Sequence, residues 1–179
     1  LADDAVKRIR TEIEQNDLLL EDYPEVCYPI RRLEGIGQKT AGQLLDNVPT
    51  NIEWGDSLLV LPTVAGSLSS GARIAARGIT GSLRGLVSYI DGRRRRPSLV
   101  LIDDFQTDES ARSLTQCAER LDIIDRGILG LRGPGEEMTA FAAITVIQKG
   151  DAADALLSRD LYPEWEGIRQ GFMIGEPAH

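Results

Sequence analysis

Ser98-Leu99-Val100-Leu101-Ile102-Asp103-Asp104 is an almost continuous apolar run closed by two acids, and it is the sharpest strand signal in the chain. A short run without polar alternation reads as a strand buried on both faces of a parallel sheet. The residues after it fit that reading. Asp108 or Ser110 can cap a helix in which Ala111, Leu114, Ala118, Leu121, Ile124 and Ile128 recur at helical spacing. Gly133-Pro134-Gly135 breaks the chain, Thr139 to Ile147 reads as another buried strand, and Asp151 to Ser158 as a short helix. Strand, helix, strand, helix is the order of a parallel α/β unit, so the fold class is α/β.

Upstream the pattern changes. Ala5, Ile9, Ile13 and Asn16 or Leu20 share one face between Leu1 and Leu20, which predicts an amphipathic helix ended by Asp22-Tyr23-Pro24. A second helical stretch is predicted from about Tyr28 to Asp46, weakened in its first half by Pro29, Gly35 and Gly37. Thr50 to Trp54, Ser57 to Leu61 and Ala72 to Ala76 are short, β-rich and separated by Gly, Pro, Asp and Ser, which are strand and hairpin signals.

Composition bounds the function classes. The 179 residues are 42% hydrophobic and 27% charged, enough for one domain with a core and too apolar for disorder. No run of about 18 apolar residues exists, and the charged start, Leu1 to Arg10, is unlike a secretory signal, so the chain is expected to work inside a cell, off the membrane. It starts on Leu1 rather than Met and stops after Gly175-Glu-Pro-Ala-His179, which reads as an excerpt of a longer protein. Cys27 and Cys117 are isolated and the only histidine is His179, which argues against zinc and for buried structural thiols. A net charge of −8 excludes a surface coated with nucleic acid, so any such contact must be local. The one basic cluster, Arg93 to Arg96 between Gly92 and Pro97, reads as a DNA or phosphate contact or as a solvated loop; the solvated loop is the simpler reading.

The strongest chemical signal is the pair Asp103-Asp104 at the carboxyl end of a buried strand. Ligands of open α/β sheets bind at that edge. One carboxylate there can hold the water shell of Mg²⁺ and its neighbour can polarise an attacking water, the two roles that hydrolysis of a γ-phosphate requires. Gly35-Ile-Gly-Gln-Lys39-Thr40 is not a phosphate loop. With Lys39 and Thr40 aligned to the pattern, glycine is required where Leu33 and Gln38 stand, and Tyr28 to Arg32 is no buried strand. Gly78-Ile-Thr-Gly-Ser-Leu-Arg84-Gly85 is glycine-rich; either Arg84 reaches a phosphate, or the segment is a hairpin turn with a solvent-facing Arg. A serine or cysteine hydrolase lacks an internal histidine to act as base.

Several strings resemble, in order, the large terminase subunits of tailed phages and prophages. They are Asp22 to Gly35, Gly78 to Gly85, Arg96-Pro-Ser-Leu-Val-Leu-Ile-Asp-Asp104, Gln106 to Ser113, Thr145-Val-Ile-Gln-Lys-Gly-Asp151 and Tyr162 to Gly167, together spanning nearly the whole chain. The resemblance implies a RecA-like, additional-strand P-loop NTPase sheet with flanking helices. It implies a motor that uses Mg-ATP to drive double-stranded DNA into a procapsid, as a ring docked on the portal. Asp103 then takes the Mg²⁺ role and Asp104 the catalytic carboxylate, where the family more often has Glu. Thr145 matches the coupling motif that senses the nucleotide, and Arg84 the arginine preceding the acidic pair.

The resemblance covers residues 1–179 as a partial ATPase domain, without the Walker A segment that precedes this region and the nuclease domain that follows it in the family. Weak or absent binding of ATP and Mg²⁺ by the chain alone is the expectation, because the missing loop carries the phosphate cradle and its lysine. Implied partners are double-stranded DNA, the portal protein, the small terminase subunit and further copies of the chain, in the host cytoplasm and transiently on the procapsid. The alternative is a non-enzymatic interaction module, a prophage remnant that binds the portal, the small subunit or itself. Unpaired sheet edges would favour oligomers.

Overall fold

The computed structural model describes residues 2–79, 81, 87–90 and 93–171, apart from the side chains at 2, 3, 88–90 and 93. These residues form two compact units, the first holding those up to 95 and the second those from 96 on. The architecture is mixed α and β, with small sheets, none closed.

The first unit opens with α1 (Ala2–Gln15), α2 (Asp17–Asp22) and α3 (Pro24–Arg31). One helix is predicted from Leu1 to Leu20, and Asn16 divides it. Its side chain accepts from the backbone N–H groups of Leu18 and Leu19, capping α2 and competing with continuation of α1. Pro24 starts α3 at a position where its missing N–H costs nothing. Arg31 ties the helices together: Nη2 donates to the Asn16 carbonyl at 2.7 Å and Nη1 pairs with Asp17 at 2.8 Å. The helix predicted from Tyr28 to Asp46 is broken as well. Glu34 and Gly35 adopt positive φ of 48° and 76°, and only the short α4 (Thr40–Gln43) follows.

Next comes a hairpin of β1 (Leu44–Leu45) and β2 (Val48–Pro49), turned by Asp46 and Asn47 at φ 51° and 64°. Two consecutive left-handed residues suit the twist of a two-residue hairpin, and Asp and Asn tolerate them. Antiparallel strands β3 (Glu53–Trp54), β4 (Leu58–Val60) and β5 (Arg73–Ala75) make a sheet within the three stretches that their β-rich composition predicts as strands. The core beneath contains Ile13, Val26, Cys27, Ile30, Leu33, Ile52 and Leu61. Trp54 closes one side, its Nε1 donating to Glu14 at 2.6 Å and its ring lying under the Arg10 guanidinium. A last hairpin pairs β6 (Ser88–Ile90) with β7 (Arg93–Arg95), so three of the four clustered arginines stand in a strand rather than in the predicted loop.

The second unit is built on β8 (Leu99–Asp103) and β9 (Thr139–Ala143), paired in parallel from Leu99–Thr139 to Asp103–Ala143. Between them run α5 (Asp108–Ala111), α6 (Leu114–Asp122), a π turn at Ile123–Ile128 and a 3₁₀ turn at Leu129–Leu131; α7 (Ala152–Leu156) follows β9. The helix predicted after β8 is interrupted because Ser113 caps α6, accepting from the Gln116 N–H, while Thr107 and Ser110 cap α5 reciprocally. Ile102, Phe105, Cys117, Ile124, Ile128, Leu131 and Leu156 are buried. Burial of β8 on both faces is corrected: Leu99 and Leu101 are 52% and 72% exposed, as is Phe141 opposite Leu101 at 62%. Only the side bearing Val100 and Ile102 turns inward.

Candidate functional site

Because β8 and β9 are parallel, their carboxyl ends lie at one edge, with Asp103 beside Ala143. The Asp104 N–H extends the pairing by one residue, donating to the Ala143 carbonyl at 3.1 Å. There the chain turns sharply. Asp104 has a φ of +37°, a conformation that costs an L-residue energy and that concentrates at functional positions. The turn brings the Asp104 carboxylate back to the loop after β9, where its Oδ1 accepts from the Thr145 N–H at 3.2 Å. Asp103 and Asp104 are both exposed, and among the described residues neither forms an ion pair.

A buried polar lock lies directly behind this edge. Gln106, two residues past Asp104, is 5% exposed and Asp151 is 0% exposed. Gln106 Nε2 donates to the Thr145 carbonyl and to Asp151 Oδ2, both at 2.8 Å, and its Oε1 accepts from the Ala153 N–H at 3.4 Å. Asp151 caps α7: Oδ1 accepts from Asp154 N at 2.8 Å, and Oδ2 accepts from Ile147 N at 2.7 Å and Gln148 N at 3.0 Å. Burial pushes this carboxyl up. The bonds from Gln148, Asp154, Ile147 and Gln106 outweigh that and hold it below the usual Asp range. Gln148 Nε2 fastens the same loop to the Ala111 carbonyl at 2.8 Å.

Of the site residues predicted from sequence, the structure brings Asp103, Asp104 and Thr145 to one edge. Arg84 and most of the Gly78–Gly85 string lie outside the described residues. Lys39 belongs to the first unit, where its ammonium pairs with Glu34 and the element before it is helix α3. Arg94 and Arg95 are exposed on β7, and Arg96 Nη1 donates to the Leu131 carbonyl at 3.1 Å. Sequence reasoning missed Gln106 and the buried role of Asp151. Asp151, the first residue of the helix predicted to Ser158, is instead its cap, a role open to Asp at a helix start; Gln106 enters the sequence reading only as the first residue of the string Gln106 to Ser113, with no role attached.

Among the described residues no group of three or more His, Cys, Asp or Glu could hold a metal ion. Asp103 and Asp104 alone fit Mg²⁺ only as it is commonly held at phosphate sites, by one or two carboxylates with water and substrate oxygens completing the shell. Comparison with protein-family models, with curated proteins and with solved structures finds no match to this chain.

Proposed function

We propose that this chain is part of the ATPase motor of a terminase large subunit, whose parent protein uses Mg-ATP hydrolysis to package double-stranded viral DNA. The observation that carries the reading is the edge at the carboxyl ends of two parallel strands. There the exposed pair Asp103-Asp104 stands beside Thr145, whose N–H bonds to Asp104 at 3.2 Å. Mg²⁺, when bound, neutralises charge on the phosphates undergoing transfer. Asp103 is the residue to hold it through water. Asp104, fixed by the turn and by Thr145, is the residue to orient and accept a proton from the attacking water. The sequence resemblance gives Thr145 the coupling role, and its bond to Asp104 supports that role. The family's fold and its DNA, portal and small-subunit partners come with this proposal from the sequence resemblance.

The exposed Leu99, Leu101 and Phe141 favour a second reading, an interaction module that covers this apolar face with another protein.

Mn²⁺ titration followed by amide line broadening tests the first reading without requiring nucleotide. Selective broadening of Asp103, Asp104 and Thr145, removed by Asp103→Asn, is the expected result. Uniform broadening, or broadening at Asp103, Asp104 and Thr145 that Asp103→Asn leaves in place, sinks the assignment and leaves the interaction module. Calorimetric titration with a Mg-bound, non-hydrolysable ATP analogue is expected to give weak or no binding by the chain alone.

A further inference from the structure

We propose that Gln106 is a positioning residue that couples the Asp103-Asp104 edge to helix α7, so that a change at the Asp104 carboxylate is felt at residues 151–154. The proposal deepens the reading above by naming how that site communicates, and it concerns the second unit alone.

Four hydrogen-bonded steps make the connection. Asp104 Oδ1 holds the Thr145 N–H. The carbonyl of the same Thr145 is held by Gln106 Nε2, so this residue is fixed at its donor and at its acceptor by two side chains that follow β8. The remaining Nε2 hydrogen of Gln106 goes to Asp151 Oδ2, and its Oε1 takes the Ala153 N–H in the first turn of α7. Asp151 closes the path by capping α7 at Asp154 while gripping the loop at Ile147 and Gln148. Gln106 thereby uses both donors and its acceptor.

Burial gives this path mechanical meaning. Gln106 and Asp151 are both nine-tenths buried or more, so a bond that lengthens inside the lock finds no water to replace it. Asp104 is exposed and lies outside the lock. The Asp104–Thr145 bond is exposed, so a ligand that takes the Asp104 carboxylate releases the Thr145 N–H to water; Thr145 then shifts against the Gln106 bond on its carbonyl, and that shift passes to α7. Were Gln106 a purely structural lock, a change at Asp104 would stop at Thr145.

Amide chemical shifts of the full chain separate the two. The expected result is that Asp104→Gly, which removes the acceptor and suits the positive φ, shifts the amides of Thr145, Ala153 and Asp154. In a Gln106→Met background the Thr145 response stays and the Ala153 and Asp154 responses are lost. Asp151→Ser serves as a second background: serine still caps α7 but is too short to reach Gln106, so the same loss is expected with α7 intact. Ala153 and Asp154 responding equally in all three backgrounds, or not responding in the wild type, would overturn the proposal. No metal or nucleotide enters the measurement, so Mn²⁺ broadening that ignores Asp103→Asn refutes the ATPase reading and leaves this coupling standing or falling by itself.

Discussion

Replacing Asp151 by alanine removes one buried side chain on which four donors converge. Loss of the α7 cap from Asp154 costs about 1 kcal/mol. The buried Gln106 amide loses its partner at 2.8 Å, and an unsatisfied buried donor costs about 1–3 kcal/mol. The Ile147 and Gln148 N–H groups lie in a more open loop and recover water, adding about 0.5 kcal/mol each. Against this, alanine no longer carries the desolvation of a buried carboxylate, an offset of about 1 kcal/mol. The net loss is about 2–4 kcal/mol, confined to the second unit. Urea unfolding followed by the amide resonances of Leu99–Asp103 and Thr139–Ala143 measures it. Asp151→Asn keeps the cap and the volume but offers one accepting oxygen instead of two, so an intermediate loss of about 1–2 kcal/mol is expected. A loss below about 0.5 kcal/mol for Asp151→Ala would refute the account, because it would mean that these bonds are replaced by water without cost.

Acid stability of the second unit follows from the same group. A carboxyl held below its ordinary value of 3.8 contributes stability in full above that value and loses it as the pH falls through its lower folded value, so the acid limb of unfolding flattens in Asp151→Asn. In the first unit, Gly42→Ala directs a methyl at the Pro29 carbonyl, 2.6 Å from the added carbon, and at Leu33 Cγ, 2.7 Å away. Overpacking of that kind costs about 1–3 kcal/mol, readable as a lower urea midpoint for the signals of α3. Asn16→Ala removes the cap of α2 and is expected to cost about 1 kcal/mol, seen as faster hydrogen exchange at Leu18 and Leu19.

The elements that were legible from the sequence are those whose signal is local. Leu99 to Asp103 forms a strand, each of the three β-rich stretches holds a strand, and a helix lies within the predicted span Asp151 to Ser158, each signalled by residues within a few positions of one another. Helix boundaries were less legible because a single side chain decides them. Asn16, Ser113 and the Thr107–Ser110 pair each offer the backbone an alternative partner inside a periodic apolar stretch, and periodicity does not register that competition. The hairpin at Asp46-Asn47 had a readable signal in its two turn residues, which lay at the end of a stretch assigned to helix. Apolar content also overstated burial. Leu99 and Leu101 are as hydrophobic as Ile102, yet which of them faces inward depends on what packs against the strand, and that is decided by residues far along the chain.

The candidate site divides along the same line. Two acids closing an apolar strand can be recognised without a structure, since their chemistry and their position at a strand end are both local properties. Their setting is not local. Gln106 and Asp151 are 45 residues apart, and Asp104 and Thr145 are 41 apart, so no spacing rule connects them. They meet because β8 and β9 run parallel in the register Asp103–Ala143, which aligns the ends of both strands and lets the left-handed turn at Asp104 aim its carboxylate at the second loop. A parallel pair requires a long crossover, here the stretch carrying α5 and α6, and a long crossover is what hides such partners from a reading along the chain. The turn at Asp104 thus sets the direction of its own carboxylate: the left-handed φ of +37° turns it toward the Thr145 N–H, 3.2 Å away, so one residue both supplies the acid and fixes where it points.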